Sequence, residues 1–349
     1  MPVKLRRISA CATKSGEHLE RNAINFMNDI QSAIPQSRIP KSKKVVVFGG
    51  SGFLGSHVAD ALTEAGYDVA IYDLKPSPYL KSSQRMLVGD ILDQNKIEEA
   101  VQGCNIVYNF AGIADIGEAS KRPLDSVKFN VLGNSIILEA CRKTNVKRFV
   151  FASSLYVYSK AGSFYRSTKQ ACELLIENYH EVFGLSYTIL RYGSLYGPRA
   201  DDRNFIFKII KQALTEGKIE REGDGEEIRE YIHVYDAAKS SVEILSDAFV
   251  NQQVIITGNQ QMKVKDLLFM IKEMLDNKIK VEYIPATTNF HYEITPYTFV
   301  LKVARRIVSK TYLDLGQGIL KSIQSIYKEI NPLPTYDGLV VKEELSGKD

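Results

Sequence analysis

Tyr165 and Lys169 stand four residues apart in Tyr165-Arg166-Ser167-Thr168-Lys169. On a helix that spacing puts both side chains on one face, a turn apart. An ammonium beside a phenol stabilises the phenolate and draws its pKa from about 10 toward neutrality. Such a pair can take a proton from a sugar or alcohol hydroxyl and give it back. The same pattern also occurs on ordinary amphipathic helices, so a further residue has to decide. Ser154 lies eleven residues upstream, closing the run Phe151-Ala152-Ser153-Ser154, where its hydroxyl can bind the same substrate oxygen.

A second constellation surrounds Gly49, Gly52 and Gly55. They follow the apolar run 45–48 directly and open a helix that includes Phe53 and Leu54. A turn of this kind lets backbone N–H groups approach a pyrophosphate, and the helix dipole favours the anion. Asp73 follows the last glycine by 18 residues, at the end of the next apolar run. A carboxylate there accepts hydrogen bonds from both ribose hydroxyls and repels a 2′-phosphate, so NAD is expected over NADP. Lys75 is the residue that would favour NADP instead. Asp90-Ile91 closes a third run, within reach of an adenine amino group. Ala111-Gly112 closes a fourth, where small residues let backbone pass close to a cofactor.

These residues need a scaffold that gathers the ends of several strands. From Lys44 onward, short apolar runs alternate with amphipathic stretches. Strands are expected at 45–48, 69–72, 86–88, 106–110, 148–152 and 187–192. Helices are expected from 53 to 66, over 126–142 and over 164–183. That rhythm predicts an α/β fold, a doubly wound parallel sheet of the Rossmann kind with helices on both faces. After about Pro198 the rhythm loosens into a smaller C-terminal substrate lobe interleaved with the sheet. Helices are expected there at 205–216, 236–245, 264–275 and 317–330, with strands at 231–234 and 254–257. The expected division is a basic leader over 1–43, a dinucleotide-binding domain over 44–198, a substrate lobe over 199–335 and a tail over 336–349. Within the leader, residues 17–33 carry a helical apolar period.

Composition narrows the class. The chain has 349 residues, 44% of them apolar and 25% charged, enough for a large core and unlike a disordered protein. No apolar run approaches the roughly 18 residues of a membrane helix, and no secretory signal is read, so no membrane partner is expected. The net charge of +4 is concentrated in residues 1–44, which carry +6 and leave the rest at −2. The body therefore gives no reason to expect nucleic acid. Cys11, Cys104, Cys141 and Cys172 form no metal or redox spacing and read as thiols of a cytoplasmic protein. Asp201-Asp202 has no third ligand nearby, so no metal is expected. His233 reads as a core histidine and His57 as a surface one.

From Lys44 to about Ile330, some four-fifths of the chain, the sequence resembles the extended short-chain dehydrogenase/reductases, the nucleotide-sugar epimerase and dehydratase family. The ordered motifs that carry the resemblance are the glycine loop, Asp90-Ile91, Ala111-Gly112, Asn130, Ser153-Ser154, Tyr165/Lys169, Leu190-Arg191-Tyr192, Tyr196-Gly197-Pro198 and Arg229-Glu230-Tyr231-Ile232-His233-Val234. The resemblance implies bound NAD and a catalytic set of Ser154, Tyr165 and Lys169, with Lys169 also holding the nicotinamide ribose. Asn130 would support the lysine through backbone or water, and Tyr192 would lie by the nicotinamide. Ser194, Arg199 and Arg229 would face the substrate, with Arg229 on the nucleotide diphosphate. It also implies a homodimer whose seam is built from the 126–142 and 164–183 helices.

The activity implied is an NAD-dependent nucleotide-sugar epimerase working through a 4-keto intermediate. Alternatives are a 4-ketoreductase or dehydrogenase, then a 4,6-dehydratase, and outside enzymes a silent dinucleotide sensor or scaffold. Four positions depart from the family pattern. Leu155-Tyr156 stand where the 4,6-dehydratases carry Asp-Glu. Ser194 replaces a usual asparagine, and Glu222 a frequent aromatic residue. The stretch 159–164 is shorter than the loop many members carry over the sugar.

Overall fold

The computed structural model describes residues 43–285, 291, 293, 305–307 and 312–332. The helix expected at 17–33 and the tail 336–349 lie outside these. Eight parallel strands form the main sheet in the order β13-β10-β6-β5-β4-β1-β2-β3. The expected strands are present as β1 (Lys44–Phe48), β2 (Asp68–Asp73), β3 (Arg85–Val88), β4 (Ile106–Asn109), β5 (Arg148–Ser154) and β6 (Tyr187–Tyr192). All seven residues of β5 and all six of β6 are buried, which is why they read as unbroken apolar runs rather than alternating ones. The chain winds outward from β1 to β3, then returns to place β4 on the other side of β1. That reversal leaves a crevice at the carboxyl ends of β1 and β4, the position where open parallel sheets bind ligands.

Helices cover the sheet. The first, Phe53–Glu64, leaves the glycine loop; the longest, Ser163–Phe183, links β5 to β6. A left-handed Gly162 precedes the long helix, and a left-handed Gly184 ends it by donating to the His180 carbonyl. The helix Gln94–Val101 was not expected from sequence. Asp93 caps it by accepting from the Lys96 N–H at 3.2 Å, and Ile97, Ala100 and Val101 are its buried stripe. The helix expected over 126–142 is Gly133–Lys143, preceded by a widened π turn at Val127–Leu132 that holds Asn130.

After residue 198 the chain builds a second apolar core around Ile206, Ile210, Leu267, Leu268 and Ile319. Two small sheets go with it, β11-β9-β7 and β12-β8. They comprise β7 (Ser194–Tyr196), β8 (Lys218–Glu222), β9 (Ile228–His233), β11 (Gln261–Lys263) and β12 (Lys280–Ile284). Strands β10 (Gln252–Ile256) and β13 (Arg305–Ile307) instead extend the main sheet beyond β6.

Candidate active site

The glycine loop fits a bound dinucleotide on its own geometry. Gly49 has a φ of +75°, and a Cβ there would lie 2.6 Å from the Ala111 nitrogen. A Cβ on Gly55 would lie 2.2 Å from the Gly49 carbonyl oxygen, so only glycine lets the helix start this close to the loop. Gly52 sits at the N-cap with no side chain to offer the first-turn N–H groups, and no acidic residue occupies that turn, where Phe53 and Leu54 stand. The end left this way suits phosphate oxygens. Asp73 closes β2 beside the loop, accepting from the Ser51 N–H at 3.0 Å and the Leu74 N–H at 2.7 Å. Asp90 accepts from the Leu92 N–H at 2.9 Å, and Ile91 packs at Gly133. Ala111 and Gly112 follow β4, with Gly112 held close to the Asn130 side chain.

Asn130 joins two segments through its side chain. Its amide donates to the Ile113 carbonyl and to Thr168 Oγ1, both at 3.0 Å, while its oxygen accepts from the Ile113 N–H at 2.7 Å. It therefore ties the loop after β4 to the long helix at the residue before Lys169. Lys169 itself donates to the Ala152 carbonyl at 2.7 Å.

Tyr165 and Lys169 share one face of the long helix, the ammonium 5.8 Å from the phenol ring centroid. Lys169 is buried, and that burial pushes its pKa down, with Cys172 and Glu173 opposing the shift. Ser154 ends β5, buried, its Oγ accepting from the Tyr156 N–H at 3.3 Å. The β5–β6 register sets Ser154 opposite Tyr192. The Tyr192 phenol is buried and shares a 2.6 Å hydrogen bond with Ser241, and burial raises its pKa.

On the other side stand Tyr156, named from sequence only as a departure from the dehydratases, and His291, which the sequence reading passed over. The Tyr156 ring meets Tyr165 edge-on at 6.1 Å, and its hydroxyl is 2.6 Å from His291 Nδ1. Burial of the imidazole, with Arg229 and Arg221 nearby, pushes His291 down in pKa. The chain of contacts thus runs from Tyr165 through Tyr156 to His291, on which the charges of Arg229 and Arg221 act. Tyr156 was legible from its place just after Ser154; nothing near His291 in sequence marks it. Arg229 is buried on β9, and its Nη1 donates to the Ile228 carbonyl at 3.1 Å. Glu227 pairs with Arg221, and Glu226 with Lys263 and Lys265. Ser194 is half-buried at the start of β7, in register with Tyr231.

Arg199 is placed apart from these. Its Nη2 pairs with Asp60 on the first helix at 2.8 Å, and its guanidinium lies 4.4 Å from the Tyr79 ring centroid. That pair ties the segment after β7 to the first helix. His57 is corrected from a surface residue: it is 4% exposed, and its Nε2 is 2.9 Å from the Pro198 carbonyl. His233 is a core residue as expected, 1% exposed.

The sheet order, the glycine loop and the Ser-Tyr-Lys set define an NAD-binding enzyme of the extended Rossmann class. The model of the NAD dependent epimerase/dehydratase family matches residues 45–256, and the chain belongs to that family. NAD is its cofactor. The chain is 28% identical over 270 residues to the UDP-N-acetyl-alpha-D-glucosaminuronate decarboxylase of Bacillus cytotoxicus, covering 70% of this chain and 84% of that one. It is likewise 28% identical over 276 residues to the UDP-glucose 4-epimerase of Corynebacterium glutamicum, covering 69% of this chain and 83% of the other. Among solved structures, the UDP-glucose 4-epimerase of Thermotoga maritima with UDP-glucose shares the fold. Its TM-score is 0.73 at 23% identity, over 82% of this chain and 99% of that one.

Proposed function

We propose that this protein is an NAD-dependent epimerase of a nucleotide sugar, working through a 4-keto intermediate. The observation that carries the reading is the placement of Tyr165 and Lys169 on one helix face, against the β5 end that bears Ser154. Bound NAD supplies the acceptor and donor of hydride. Gly49, Gly52, Phe53, Leu54 and Gly55 hold its pyrophosphate, Asp73 its ribose, and Asp90, Ile91, Ala111 and Gly112 line its path. Tyr165 takes the proton of the sugar 4-hydroxyl and later returns it. Lys169 stabilises the phenolate, and Ser154 orients the oxygen. Arg229 binds the diphosphate, and Ser194 lies beside it. Relatives named as 4-epimerases support this reading.

Residues 44–198 serve the cofactor and 199–335 mainly the substrate. Val127, Leu132, Phe164, Leu174, Val182 and Phe183 are exposed on the two helical segments expected at a dimer seam, which supports a homodimer. Cys104, Cys141 and Cys172 are free thiols, which fits the cytoplasm. Among the described residues no helix is long and apolar enough to cross a membrane.

The test is turnover of UDP-, GDP-, CDP- and dTDP-sugars with products read by NMR. Interconversion of 4-epimers is expected. A purified protein that releases NAD on denaturation yet turns over no nucleotide sugar would make it a silent sensor. Net oxidation or reduction would make it a dehydrogenase or ketoreductase.

A further inference from the structure

Tyr165, Lys169 and Glu173 follow at four-residue spacing, so all three stack on one face of the long helix. The third has no part in the chemistry above, yet it is fully buried. Its carboxylate accepts from Arg191 Nε at 3.0 Å and Nη2 at 2.8 Å, a two-pronged pair, and from Ser153 Oγ at 2.6 Å. Arg191 Nη1 donates in turn to the Tyr158 hydroxyl at 2.5 Å. Ser153 and Arg191 are register neighbours on β5 and β6, so one helix carboxylate clamps two adjacent strand ends. The residue after Ser153 is Ser154.

A buried ion pair is a weak source of stability, because an apolar pair of similar volume often serves as well. Its position one turn from Lys169 offers a different role. The Lys169 ammonium is itself buried, with the Ala152 carbonyl as its hydrogen-bond acceptor. The groups whose charge acts on it are Cys172 and Glu173 on its own helix, with the Tyr165 ring 5.8 Å away. Arg191 of β6 and Tyr158 of the turn after β5 act on it through Glu173.

We propose that Glu173 is a positioning residue: held by Arg191, it keeps the charge of Lys169 in the core and, through Ser153, fixes the β5 end that carries Ser154. This rests on the assignment of Tyr165 and Lys169 as the proton-handling pair. Removing the carboxylate while leaving Arg191 puts an uncompensated cation beside Lys169, so the lysine loses its proton at lower pH.

The experiment compares Glu173→Gln with the charge-neutral pair Glu173→Gln/Arg191→Met, measuring turnover against pH, NAD binding and melting temperature. In Glu173→Gln the alkaline limb of the turnover profile should move down by about one pH unit with NAD binding kept. In the double variant the limb should return toward that of the natural protein, although two more hydrogen bonds are gone. A limb that does not move in the single variant, or a double variant no better than the single, overturns the proposal and leaves the pair a packing feature. If Glu173→Gln fails to fold, the double variant decides alone, since restored folding with an unshifted limb is the expected result and a shifted limb the contrary one. Near-normal turnover in Tyr165→Phe would instead remove the assignment on which the proposal rests.

Discussion

Asp73 Oδ2 accepts a hydrogen bond from the Ser51 backbone N–H at 3.0 Å, joining the end of β2 to the glycine loop after β1. One carboxylate therefore shapes the loop and faces the place where a ribose would lie. Asp73→Ala should weaken NAD binding by about tenfold, the worth of one charge-assisted hydrogen bond, and narrow the preference for NAD over NADP. Titration of both dinucleotides checks this. An unchanged ratio of the two affinities would point to another determinant, Lys75 being nearest.

Tyr165→Phe keeps the ring against Tyr156 and removes only the proton-carrying oxygen. Turnover should fall by at least about 10²-fold while NAD binding persists. A variant that turns over normally would take Tyr165 out of the reaction.

Arg229 lies buried on β9, and its charge acts on His291 and on Arg221. If it holds the diphosphate, Arg229→Ala should weaken nucleotide-sugar binding by about 2–4 kcal/mol and spare NAD. Calorimetry with UDP alone and with NAD alone separates the two. Equal loss of both would mean that the arginine supports the fold.

His57 and His233 supply a prediction about stability. Burial pulls each from 6.5 to about 4, against the opposing Pro198 carbonyl and Asp60 at His57 and with His57 and Lys321 adding to the shift at His233. Both are therefore held neutral in the folded protein, while the unfolded chain protonates them below 6.5. Their contribution is complete above that pH and is lost as pH falls toward 4. Between pH 7 and pH 5 each should remove about 2 kcal/mol from the unfolding free energy. Urea unfolding of the natural protein and of His233→Gln at both pH values measures it. A variant with the same pH dependence as the natural protein would show that His233 titrates normally.

What the sequence made legible follows from where the information lies. The strands β1, β5 and β6 are buried on both faces, and such runs announce themselves. Asp73, Tyr165 and Lys169 sit at fixed local offsets from a loop or from each other, so spacing together with a neighbouring residue such as Ser154 singles them out as candidates. Short strands such as β7 and β11 have only three residues each, too few for any period to show. The π turn at Asn130 depends on bonds to Ile113 and Thr168, 17 and 38 residues away. His57 is buried because Pro198, 141 residues later, accepts its ring N–H. The Asp60 that pairs with Arg199 is 139 residues distant. Tertiary partners decided each of these, and no local pattern contains them.

The last prediction is that this enzyme does not eliminate water across C5 and C6 of its sugar. Once a 4-keto group has acidified C5, elimination needs a base for that proton and an acid for the departing 6-hydroxyl. Two carboxyl groups in unlike environments can divide those roles. Here the two residues after Ser154 are Leu155 and Tyr156. Leu155 is 0% exposed and has no proton to exchange. The Tyr156 hydroxyl is taken up by His291 at 2.6 Å, and a phenol of ordinary pKa about 10 is a poor base near neutrality. Glu118, on the short helix Ile116–Lys121 after β4, is paired with Arg122 at 2.7 Å. The product should therefore keep its 6-oxygen and take up no deuterium at C5 when the reaction is run in D2O. A 6-deoxy-4-keto sugar labelled at C5 would place this protein among the dehydratases and require an acid–base pair that Leu155 and Tyr156 do not provide.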